Sequence, residues 1–178
     1  MATPNRALVE ILRETADRIE TGADYQWSHF GKCNCGHLAQ TATRFSASQI
    51  HRGAFGRLAE WSEIPEDFCP QTGILIDRVV DALFELGLNA MDLGHLEDLT
   101  DREILHNLPG GFRYLERNQR QDAIAYMRSW ADLIEAQLAV PNEVELSGDR
   151  SPRRGDRASG SDSPLSTNNL NRFGARSH

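Results

Sequence analysis

The sequence predicts an all-α fold: a single compact domain of six or seven helices, several of them short and capped, followed by a disordered C-terminal tail. Three observations carry this expectation. Apolar residues recur at three- and four-residue spacing in several segments up to residue 138. Short capping signatures open many of these segments. No stretch shows the two-residue alternation and hairpin turns of paired strands.

The first helix is expected over about 4–21, with Thr3 as cap and Pro4 in the first turn, where its missing N–H costs nothing. Leu8, Ile11, Leu12, Ala16 and Ile19 share its apolar face, and Gly22 supplies the stop. A short helix is expected to open near Asn34 to Gly36 and to run toward Phe45. Ser46 and Gln49 match a capping box, with Phe45 and Ile50 as the staple around it, for a helix of about 47–61 that buries Ile50, Ala54, Leu58 and Trp61. Residues 63–72 read as a loop, with Pro65 and Pro70 on either side of Cys69.

Residues 74–86 are strongly apolar, and Ile76, Val79, Val80 and Leu83 are candidates for the central core. Asn89 caps the next helix, about 90–97, and Thr100 with Glu103 matches a second capping box. Pro109, Gly110 and Gly111 break the chain before a last helix of about 118–138. That helix places Ala123, Ile124, Met127, Trp130, Ala131, Ile134 and Leu138 on one face.

The helical domain is therefore assigned to 1–138 and the tail to 139–178. Phe173 is the tail's single aromatic, and its polar, aperiodic composition leaves too little apolar surface to offset the entropy of ordering. The formal charge of −7 divides into about −8 for 1–138 and +1 for the tail, which holds six Arg against five Asp or Glu. An acidic domain disfavours a broad nucleic-acid surface. Residues 1–21 carry acidic groups and a helical period where a signal peptide would be apolar. No segment approaches the ~20 apolar residues of a membrane span. Three cysteines do not make a secreted disulfide framework, so a reduced, cytoplasmic protein is expected. Oligomeric state is not readable.

Residues 25–38 concentrate the groups able to do chemistry. They hold two of the three cysteines, two of the six histidines and the only lysine. Cys33 and Cys35, two apart, can chelate one ion if they lie in a turn; in a helix their side chains would diverge. His37 is one turn from Cys33, His29 is just upstream, and Cys69 is the distant thiol. The primary expectation is a metal site formed by Cys33, Cys35, Cys69 and His37, with His29 as alternate ligand. Zinc suits this donor set, and iron or copper would also accept it.

Two other readings compete. A thiol enzyme or redox protein would use Cys35, activated by a helix N-terminus, Lys32 and His37, with Cys33 or Cys69 as resolving thiol. Asn34-Cys35-Gly36-His37-Leu38 resembles the Asn-Cys-x-His-Phe element of lecithin:retinol acyltransferase-like thiol enzymes. That resemblance implies a β-sheet with an upstream catalytic histidine, where this chain predicts helix and turn. The third reading is a helical protein-interaction module without chemistry. The short stapled helices of 83–105, with their Leu-Gly-Leu and Leu-Thr-Asp elements, are similar to SAM and helix-hairpin-helix modules. That similarity implies a protein partner.

Overall fold

The computed structural model describes residues 1–54, 61 and 75–140, within a unit spanning Met1–Pro141. The described residues contain seven α-helices and no strand: α1 Arg6–Glu20, α2 Asn34–Thr43, α3 Ala47–Ala54, α4 Leu75–Glu85, α5 Ala90–Asp98, α6 Arg102–His106 and α7 Arg120–Ala139. The expected all-α class is correct. Cys69, the Pro-flanked loop and the tail from 141 onward lie outside the described residues.

Helix α1 starts later than expected. Asn5, not Thr3, is its cap, and Asn5 Oδ1 accepts the Leu8 N–H at 2.9 Å. The same side chain donates to the carbonyl of Leu86 at 2.9 Å, and the Thr3 N–H donates to Gly87 at 2.8 Å. Thr3 therefore ties the chain to the end of α4 rather than capping a helix. The Ser46 and Gln49 capping box forms as expected: the Ser46 N–H donates to Gln49 Oε1 at 2.9 Å, and the Gln49 N–H donates to Ser46 Oγ at 3.3 Å. At α6 the cap is Asp101, whose carboxylate accepts the Glu103 and Ile104 N–H groups. Thr100 instead pairs with His95, with Thr100 Oγ1 2.9 Å from His95 Nδ1.

Leu8, Leu12, Ala16 and Ile19 of α1, the four expected residues of α4, and Ile124, Met127, Trp130, Ala131 and Ile134 of α7 are all buried together. Each such aliphatic side chain contributes about 1.5–3 kcal/mol by leaving water. Leu138 departs from the expected face: it stays 39% exposed, where the last turn of α7 borders an open cleft with Arg6 and Val9.

Helices α1 and α7 run antiparallel and exchange charges. Arg13 on α1 donates to Asp132 at 2.9 Å and Glu135 at 2.7 Å, while Arg128 on α7 donates to Asp17 at 2.8 Å and Glu20 at 2.6 Å. Exposed pairs of this kind add only about 0–1 kcal/mol each. Their value is register, because the acceptors lie on opposite partners at the two ends.

Candidate functional site

The stretch 25–38 folds as a series of turns leading into α2, and its chemistry is spent on backbone. Cys33 is the N-cap of α2: its sulfur accepts the Gly36 N–H at 3.4 Å and its thiol donates to the Phe30 carbonyl at 3.6 Å. Helix α2 begins at Asn34, so Cys35 already lies within it, in the geometry that separates side chains two residues apart. Its thiol points to α5 and donates to the Leu93 carbonyl at 3.3 Å. The His37 ring faces a third direction, with Nε2 3.2 Å from the Asp24 carbonyl and the ring stacked parallel to Tyr25 at 6.1 Å. His29 is stacked on His51 of α3 at 3.9 Å, and its Nδ1 accepts the Gly31 N–H at 3.1 Å.

These positions overturn the metal expectation. No group of three or more His, Cys, Asp or Glu side chains is arranged to hold an ion among the described residues. The donors Cys33, Cys35, His37 and His29 face separate partners, and Cys69 is outside the described residues. The zinc, iron and copper assignment for this motif is withdrawn. The physical reason is the starting point of α2, which places one thiol at the cap and the other inside the helix.

The electrostatics favour uncharged groups. Burial pushes the Cys33 thiol up to about 11, against the opposing pull of the Gly36 N–H. Burial, then the neighbouring Cys33 and the carboxylates of Glu97 and Asp98, hold Cys35 well above the ordinary thiol range. His37 is lowered to about 4, by burial first and by Arg18 second. Its Nδ1 is buried without a hydrogen-bond partner, as fits a neutral ring that donates through Nε2. Thiolate nucleophiles need the opposite environment, partly exposed and electropositive. Cys33 and Cys35 are both free and both buried.

What the motif does is fasten elements together. The Asn34 amide donates to the carbonyls of Leu96 at 3.1 Å and Glu97 at 3.0 Å, closing the C-terminal end of α5. Tyr25 Oη lies 2.7 Å from Asn34 Oδ1 and 2.6 Å from the Arg117 carbonyl. The Arg117 guanidinium covers the Trp27 ring at 4.0 Å and pairs with Asp98. Arg18 of α1 reaches Thr41 Oγ1 at 2.7 Å and Gln40 Oε1 at 3.1 Å. Residues 25–38 and the helix α2 they lead into thereby connect α1, α5 and the segment preceding α7.

That segment, 107–119, forms the feature that sequence reasoning passed over. Gly110 and Gly111 turn the chain with φ of 90° and 89°. Residues 112–116 then run without helix or turn before α7. The run is anchored from α7: Asp122 accepts the Glu116 N–H at 2.8 Å and the Arg113 guanidinium at 3.0 Å. Behind it, Asn107 donates to the Ser129 carbonyl at 2.9 Å, and Ser129 Oγ donates to the Ile104 carbonyl at 2.7 Å.

Between this run and α6 lies an open groove of about 290 Å³. Its floor is Leu99, Leu105 and Leu115, and its walls are Thr100, Arg102, Phe112 and Tyr114. Phe112 packs edge-on to Tyr114 at 5.1 Å and against His106 at 4.7 Å. Tyr114 is 82% exposed, an unusual position for so large a ring. The available signal was composition: two aromatics within three residues after Pro-Gly-Gly. Glu103 and His106 stand in a Glu-x-x-His spacing on exposed positions of α6, with His106 against Phe112.

No family model, curated protein or solved structure matches the chain. Among the described residues no helix is long and apolar enough to cross a membrane.

Proposed function

We propose that this chain is a helical protein-interaction module without chemistry of its own, and that the groove between α6 and residues 112–116 is its docking surface. The observation that carries this reading is the exposed aromatic pair, Phe112 and Tyr114, over an apolar floor. Aromatic rings that stay in water cost solvation, and at a concave apolar site they serve as anchors for a partner. The surrounding bonds from Asp122, Asn107 and Tyr25 support a preformed site, which lowers the ordering cost of binding. The buried thiols and neutral His37 fit a scaffold role for the motif. The free state of Cys33 and Cys35 also fits the reducing cytoplasm expected from the sequence.

The test is site-specific photo-crosslinking in cells of the source organism. A benzophenone side chain replaces Tyr114 in one variant and exposed Arg52 of α3 in another. The expected result is a discrete adduct from position 114 that is missing from position 52. Identical patterns from both positions would overturn the assignment.

A further inference from the structure

The groove also carries information about what enters it. Arg13, Arg44, Arg113, Arg117 and Arg128 each face a carboxylate. Arg102, on the wall of the groove, is exposed and makes no hydrogen bond or ion pair with any described residue. An unopposed guanidinium beside an apolar floor is an arrangement that selects a carboxylate next to an apolar side chain. The opposite wall contributes a second feature, the exposed Tyr114 ring edge-on to Phe112, which offers an aromatic face to an apolar side chain.

We infer that the groove binds a peptide segment of a partner protein, one that seats an aliphatic or aromatic side chain over Leu105 and Leu115 against Tyr114 and places an Asp or Glu on Arg102. This rests on the interaction-module reading and narrows it to an apolar–acidic sequence. The leucine floor and the Tyr114 ring supply affinity, and Arg102 supplies selectivity. Selection through one rim charge weakens as salt rises, since exposed charges are screened over about 8 Å at physiological ionic strength.

The experiment uses the full chain and a panel of short fluorescein-labelled peptides, followed by polarisation. Each peptide carries a Leu or Phe anchor flanked by Asp, and matched peptides carry Lys in place of Asp or Ala in place of the anchor. The Asp peptides should bind about tenfold tighter than the Lys peptides at low salt. The Arg102→Glu variant should reverse that order, and Tyr114→Ser should weaken every peptide. Both side chains are exposed, so thermal midpoints of the variants should match the parent and exclude misfolding as the cause.

Equal binding of Asp and Lys peptides would overturn the acidic selection while leaving the docking surface in place. Binding by none of them, with sedimentation showing self-association lost in Tyr114→Ser, would make a second copy the occupant and overturn the peptide. Absence of both, with crosslinks from 114 no different from those at 52, would remove the interaction module as well.

Discussion

The hydroxyl of Tyr25 stands 2.7 Å from Oδ1 of Asn34, so a half-buried aromatic of the cysteine-rich stretch is locked to the first residue of α2. Because the same hydroxyl reaches the Arg117 carbonyl at 2.6 Å, one phenol joins the motif to the chain segment that shapes the groove. Tyr25→Phe keeps the ring and removes the link. It should cost about 1–2 kcal/mol and accelerate exchange of the Glu116 amide, the one in that segment held by Asp122. Exchange in that segment no faster than in the parent would show that Asp122 alone holds it.

Gly36 is fixed by proximity. A Cβ there would lie 2.1 Å from the Phe30 carbonyl oxygen, which is backbone and has no rotamer with which to yield. Gly36→Ala should lower stability by roughly 3 kcal/mol, the upper range for overpacking, as measured by urea denaturation. A loss below that of Cys33→Ala would place the constraint elsewhere.

Thiol labelling distinguishes packing from reactivity. Cys33 and Cys35 are protonated and buried, so alkylation near neutral pH should be slow and should follow global unfolding in urea. Chelators should leave both rates unchanged. Fast reaction of Cys35 in the native protein would restore the thiol-enzyme reading.

His37 predicts a pH dependence with a definite sign. Its native pKa of about 4 lies below the ordinary 6.5, so the unfolded chain binds the proton first as pH falls. Stability linked to this ring is fully present above 6.5, is lost as pH falls toward 4, and levels off below it. His29, also lowered by burial and by His51, acts in the same direction. His37→Gln, which can still donate to Asp24, should flatten the profile by about one proton across that window. Chemical denaturation at a series of pH values provides the slope, and an unchanged slope would dismiss His37 as its source.

Much of the architecture was legible because helices announce themselves through period and caps. The Ser46 and Gln49 box, the Asn89 cap and the buried faces of α4 and α7 all follow from local spacing. Two caps were misplaced where another bond competed: Asn5 serves the end of α4 as well as α1, and Thr100 is drawn back to His95, five residues earlier. The motif misled for a different reason. Whether Cys33 and Cys35 chelate depends on where α2 begins, and one residue of boundary decides between a converging and a diverging pair. The groove was hardly legible because its one trace in the sequence is the closely spaced Phe112 and Tyr114, and spacing does not show that Tyr114 stays in water.

The exchange of charges between Arg13 and Arg128 has a consequence for biosynthesis. Helix α1 must wait for α7, since the acceptors of Arg13 arrive 119 and 122 residues later. Until then the face of α1 that α7 covers stays open, with only α2 against it, and the chain depends on whatever shelters nascent apolar surface. Closing so distant a contact makes folding a late, concerted event, and a message truncated before α7 yields a chain unable to complete its core.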